Sequence, residues 1–146
     1  MIRFKIVTPE KIVFEDDIFQ ATLPIEGGEV TILPSHAPYI GTLQAGEIIV
    51  KKTAEGEGES LATSGGFAEF RDGILTLLAD TAERAEEIDV TRAEEAKARA
   101  ELLMKERVSI DDEEYAKVAA LLDKEFARVR VARKHRSRGG MSVGGQ

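Results

Sequence analysis

The sequence predicts an α+β protein in two parts: an N-terminal antiparallel β-sandwich of about ten strands, then a C-terminal antiparallel α-helical hairpin. Three observations carry this. From Met1 to about Ala79 apolar residues recur with period two between frequent turn signals, the pattern of a sandwich or barrel. From Thr81 to Arg136 there is neither Gly nor Pro, and the apolar period lengthens to that of a helix. Between Gly27 and Gly46 short apolar runs alternate with Gly and Pro, which cannot continue a helix and instead read as two strands around a rigid Leu33-Pro34-Ser35-His36-Ala37-Pro38 corner. The boundaries expected are a sandwich over 1–85, a two-helix part over 86–138 and a disordered tail over 139–146.

The first strand alternates Phe4 and Ile6 with Arg3 and Lys5, and the second alternates Ile12 and Phe14 with Lys11 and Val13. Ile18 to Leu23 makes a third. Turns are expected at Thr8–Lys11, Glu15–Asp17, Glu26–Gly28 and Gln44–Gly46. The segment Ala54–Glu59 reads as a polar hairpin tip, and Asp72-Gly73 as a two-residue hairpin turn whose residues tolerate positive φ. In the helical part Asp89 is a candidate N-cap, and Thr91 and Glu94 have the spacing of a capping box. Ala93, Ala96, Ala100 and Leu103 form one stripe. Ser109 or Asp111 caps a second helix, and the acids Asp111–Glu114 suit its positive N-terminal end. Tyr115, Val118, Ala119, Leu122, Phe126 and Val129 form the second stripe. Because the first stripe is mostly alanine, it buries little area at about 25 cal/mol per Å², so the hairpin should be held by a modest seam and be able to open.

Composition narrows the function. With 146 residues the chain suits one domain with an appendage. It has no cysteine, so disulfide, thiolate and cysteine-metal chemistry are excluded. No apolar run is long enough to span a membrane, and the charged N-terminal residues lack a signal-peptide core. The net charge of −7 divides into −13 over residues 1–127 and +6 over residues 128–146, an acidic body with a basic end that suits an electrostatic partner. The two histidines, His36 and His135, have no ligating neighbours in sequence, so no metal site is expected. No phosphate loop, dinucleotide fingerprint or nucleophile elbow occurs; an active site on this chain is not expected. A nucleic-acid binder using the basic end, or a small-ligand module, is the alternative reading. The acidic body and the scarcity of aromatic residues count against both.

Three motifs in register resemble one family. Gly28 to Pro38 with Leu43 and Gly46, Ser64-Gly65-Gly66-Phe67-Ala68-Glu69, and Glu87-Ile88-Asp89 with Arg92-Ala93 are similar to the epsilon subunit of F-type ATP synthases. The resemblance runs from about Phe4 to Ala100. It implies a non-catalytic rotor subunit of the central stalk that couples ion flow through the membrane ring to ATP synthesis. The partners it implies are the gamma subunit, the c-subunit ring and, when the hairpin extends, the catalytic beta and alpha subunits, with no nucleic acid. The place implied is peripheral, on the cytoplasmic face of the inner membrane or the stromal face of a thylakoid. Glu29 and His36 are then expected to face the ring. The basic end, Arg128, Arg130, Arg133, Lys134 and Arg136, is expected to meet acidic segments of the catalytic head and block ATP hydrolysis. No cofactor is required. A regulatory ATP is the one nucleotide the resemblance admits, through Ile88, Asp89, Arg92 and Ala93 with Glu83 and Arg99. The second helix departs from that site, since Leu122 and Phe126 are apolar and the first arginine of that segment is Arg128.

Overall fold

The computed structural model describes residues 1–106 and 111–141. Eight strands lead into two helices. They are β1 (Ile2–Val7), β2 (Ile12–Ile18), β3 (Gln20–Ile25), β4 (Gly28–Ile32), β5 (Tyr39–Leu43), β6 (Gly46–Lys51), β7 (Glu59–Arg71) and β8 (Ile74–Arg84). A short 3₁₀ turn, Ala85–Glu87, connects them to α1 (Val90–Glu106) and α2 (Asp112–Met141).

The strands form one continuous sheet in the order β2-β1-β8-β7-β5-β3-β4, with β6 bridging β3 and β7. The long strands β7 and β8 make this a sandwich. Residues 66–70 of β7 pair with β5, whereas residues 59–63 pair with β6. The register between β7 and β8 shifts on both sides of Gly65, where Gly65 and Gly66 have φ of +121° and +144°. Such a bulge bends the strand and lets it pass from one layer to the other. Thr63 Oγ1 secures the bend by accepting from the Gly65 amide at 3.1 Å and donating to the Thr81 carbonyl at 3.0 Å. The expected ten strands are therefore eight, with two of them long enough to serve both layers. One pair also departs from the antiparallel pattern: β1 runs parallel to β8, Phe4 opposite Leu75 and Ile6 opposite Leu77.

Period two does its expected work in β1, where Ile2, Phe4 and Ile6 are fully buried and Arg3 is exposed. With Phe14, Ile18, Leu23, Ile32, Ile48, Val50, Leu61, Leu75 and Leu77 they form the main core, drawn entirely from the sandwich. Ile12 is the exception in β2, half-exposed on the outer face. Asp72 and Gly73 take φ of +51° and +76° and close the β7–β8 hairpin as expected. The turn expected at Glu15–Asp17 is instead strand: these acids lie within β2. Arg3 reaches Glu15 at 3.0 Å and Asp17 at 3.5 Å, and Lys52 reaches Asp16 at 2.8 Å, so cross-strand cations offset the acidic run.

Asp89 caps α1, its Oδ1 accepting from the Arg92 amide at 3.1 Å. Thr91 is thus inside the helix rather than at its cap. Asp111 caps α2 in the same way, accepting from the Glu114 amide at 2.8 Å; Ser109 lies outside the described residues. The helical stripes are borne out in part: Ala96, Val118, Ala119 and Leu122 are partly buried as expected. Ala93 and Ala100 are buried, but Leu103 is half-exposed. On α2, Tyr115 and Phe126 are part-exposed, the Phe126 ring lying 4.3 Å from the Lys97 ammonium of α1, and the buried residues are Glu125, Ala127, Val129, Val131 and Ala132. The reason is that the C-terminal half of α2 is covered on two sides, by α1 and by the β6–β7 flank, so its buried arc is wide and centred elsewhere. Helix α2 also continues through Met141, past the helix end expected at Arg138.

Candidate functional site

The two parts meet in a second, smaller apolar cluster: Ala62 of β7, Ala85 and Ile88 of the connector, Val90 and Ala93 of α1, and Val129, Val131 and Ala132 of α2. Four of these eight side chains are single methyl groups, so the seam allows close approach and yields little burial energy. Charged pairs surround it. Arg128 of α2 lies with Nε 2.9 Å from Glu83 Oε1 on β8, and its Nη1 donates to Glu125 Oε2 at 2.8 Å. Lys134, two turns further on, donates to both carboxylate oxygens of Glu47 on β6, at 2.8 and 3.0 Å, and Ser60 donates to the same carboxylate at 2.6 Å. Arg133 donates to Glu94 of α1 at 2.6 Å and ties the hairpin to itself.

The Arg128 and Glu47 pairs are partly withdrawn from water, which strengthens them, whereas Arg133 and Glu94 are exposed. The Glu47 side chain is 13% exposed. Burial alone would raise its carboxyl, but the hydrogen bonds from Lys134 and Ser60, with the charges of Lys134 and Arg138, outweigh burial and hold it below the usual carboxylate range. Burial likewise disfavours the Arg128 charge, and the hydrogen bond to Glu125 with the charge of Glu83 more than restores it.

The residues singled out in the sequence are distributed as follows. Glu83 and Arg128, expected in two different roles, are partners. Ile88 and Asp89 line a small cleft of about 260 Å³ together with Ala132, His135 and Arg136. Ala93 is buried in the seam. Arg92 and Arg99 are exposed outside that cleft, Arg92 lying 3.8 Å from Asp89. Of the basic end, Arg128, Arg133 and Lys134 are engaged by carboxylates, while Arg130 and Arg136 make no ion pair among the described residues. Glu29 is exposed on β4. His36 is half-buried: its Nδ1 donates to the Ala37 carbonyl at 2.7 Å and its ring meets Tyr39 and Phe70 edge-on at 6.3 and 6.1 Å. A larger cleft of about 870 Å³ adjoins the first, with Lys51, Arg84, His135 and Arg138 set against Glu57 and Glu59.

Sequence reasoning did not reach Glu47 or Ser60 and gave Glu94 only a capping role, because the partners that matter lie 13 to 87 residues away. Glu125 was readable, since it precedes Arg128 by three residues on one helix face.

The outer face of the sandwich carries a second feature. Thr42, Phe67, Leu78, Val7 and Ile12 are successive cross-strand partners on β5, β7, β8, β1 and β2. Phe67 is 61% and Leu78 56% exposed, and Ile40 beside them is 78% exposed. A contiguous apolar row on a rigid sheet is the mark of a protein-binding face.

A β body with an exposed apolar outer face, joined to a helical arm by ion pairs, suits a subunit of a larger assembly. Comparison with known proteins agrees. The family described as ATP synthase, Delta/Epsilon chain, beta-sandwich domain matches residues 1–85, and its long alpha-helix domain matches residues 86–133. The chain is 42% identical over 137 residues to the ATP synthase epsilon chain of Herpetosiphon aurantiacus, covering 94% of this chain and 98% of that one. It is 43% identical over 135 residues to the ATP synthase epsilon chain of Chloroflexus aggregans, covering 92% and 94%. The fold is that of a chain in the Euglena gracilis mitochondrial ATP synthase (OSCP/F1/c-ring), with a TM-score of 0.72 at 20% identity over 90% of this chain and 80% of that one. The chain belongs to the ATP synthase delta/epsilon family.

Proposed function

We propose that the chain is a non-catalytic rotor subunit of the ATP synthase central stalk, and that its hairpin inhibits ATP hydrolysis when it leaves the sandwich. The observation that carries this is the join itself: α2 is held by two ion pairs to the body and a seam half made of alanine, a contact that can be exchanged for another. In the observed state the hairpin lies down. Released, helices of 17 and 30 residues at about 1.5 Å per residue would reach about 70 Å end to end, enough to carry the basic end from the stalk into the catalytic head. Opposite charge would then steer Arg128, Arg130, Arg133, Lys134 and Arg136 onto acidic segments of the catalytic subunits. The apolar row through Phe67 and Leu78 supports docking on the gamma subunit. Glu29 and His36, on β4 and the corner that follows it, would face the c ring, with the chain peripheral on the cytoplasmic side of the membrane or the stromal side of a thylakoid. In the described residues no helix is long and apolar enough to cross a membrane.

The test is ATP hydrolysis by the assembled catalytic complex with the full chain and with a truncation after Ala85. Faster hydrolysis with the truncation is expected. Equal rates would remove the inhibitory role and leave the coupling role standing.

A regulatory ATP is a second reading, favoured by the cleft that brings Ile88 and Asp89 beside His135 and Arg136. A nucleotide lodged there would touch both helices and bias the hairpin toward the folded-down state. Calorimetric titration of ATP into the full chain and its Arg92→Ala and Arg136→Ala variants checks it. Weaker binding in Arg136→Ala supports a nucleotide in this cleft, weaker binding in Arg92→Ala alone moves it outside the cleft, and no binding by the parent chain ends the reading.

A further inference from the structure

We infer that Glu47 and Glu83 are decoy partners: they hold, in the folded-down hairpin, the same cations that the hairpin would present to an acidic protein surface once released. The inference rests on the inhibitory reading above and names its regulation. Three observations carry it. First, the Lys134 ammonium lies against both oxygens of Glu47, while Ser60 donates to Oε1 of the same carboxylate. Second, Arg128 is shared between Glu83 on the sandwich and Glu125 on its own helix, so leaving the body costs it one of two carboxylates. Third, the apolar contact beneath these pairs is small, so charge rather than oil sets how firmly the arm is held. Lys134 and the Glu83-facing side of Arg128 therefore cannot serve an acidic partner and the body together, and for these two cations the body competes with that partner.

Competition of this kind has consequences that a purely structural ion pair lacks. Weakening a decoy should both open the hairpin and raise its affinity for an acidic probe. Restoring opposite charge in the reverse order should close it again. A pair confined to one helix, Lys117 with Glu113 at 3.0 Å, stays intact in both states and serves as the control.

The experiment uses the full chain with a fluorophore pair, one on the body and one on the C-terminal half of α2, and a poly-glutamate 20-mer as the acidic probe. In Glu47→Gln the open fraction should rise about tenfold, the order expected for losing a charge-assisted hydrogen-bonded pair. Poly-glutamate should bind that variant about tenfold more tightly. Glu83→Gln should act in the same direction, the exchanged pair E47K/K134E should return the open fraction toward that of the parent, and Glu113→Gln should change neither reading. An open fraction unchanged in both Glu47→Gln and Glu83→Gln would overturn the inference, as would opening without any gain in poly-glutamate affinity. Because distance and probe binding are read on the isolated chain, the inference can fail while inhibition in the assembled complex stands, and the reverse.

Discussion

At the level of single residues, the positions that matter most are those where no other side chain fits. A Cβ on Gly66 would lie 2.1 Å from the Leu78 carbonyl oxygen, at a φ of +144° that side chains rarely adopt. Gly66→Ala should therefore cost about 3 kcal/mol through strain and overpacking. Gly28, with open space around its Cβ position and ordinary φ, should accept Ala within about 0.5 kcal/mol. Paired thermal or urea melts of the two variants check this contrast; similar losses in both would show that the bulge is not what bends β7. Asp89 offers a smaller case. It caps α1 and also lines the cleft beside Ile88, so Asp89→Ala should cost about 1 kcal/mol of helix stability.

Between the elements, the join responds to pH in a predictable direction. The Glu47 carboxyl titrates below its ordinary range when α2 is docked, and release of α2 removes the Lys134 hydrogen bond and charge and lets it rise toward the ordinary carboxylate range. A depressed folded-state value means that the contribution to docking is fully present above the ordinary value. It fades as pH falls below that value and is lost once pH passes through the docked-state value. Hydrogen exchange of α2 amides should accordingly quicken, relative to the sandwich strands, below about pH 4, and the acid-dependent part should shrink in Glu47→Gln. An α2 whose relative protection is unchanged across that range would show that the apolar seam alone holds the arm.

For the molecule as a whole, the main core contains only sandwich residues, and the second cluster spans the two parts. Truncation after Ala85 should thus leave a β body that still unfolds cooperatively, which circular dichroism and a single melting transition would show. Phe67→Asp places a charge in the middle of the outer apolar row without touching either core. Its expected outcome is an unchanged melting temperature and loss of gamma-subunit capture in a pull-down. Retained capture would move the docking face elsewhere on the sandwich.

Alternation of Phe4 with Arg3, the Asp72-Gly73 turn, the Asp89 and Asp111 caps and the switch of period after Ala79 are local signals, written in neighbours two to four positions apart. They were enough for the two-part architecture, while the family was legible in the three motifs Gly28 to Pro38, Ser64 to Glu69 and Glu87 to Ala93. The count of strands was not local, because whether β7 is one strand or two depends on which partners face each half across the Gly65–Gly66 bend. The faces of α2 were not local either: periodicity identifies a helix with an apolar side, but the side that is buried follows from the surfaces packed against it, here α1 on one flank and β6–β7 on the other. The site shows the same division. Chain order revealed a basic end and an acidic body. Folding alone chose Lys134 for Glu47 and Arg128 for Glu83, since ion pairs between distant segments are set by where the backbone carries them, and a charge in a sequence has no address until the chain closes around it.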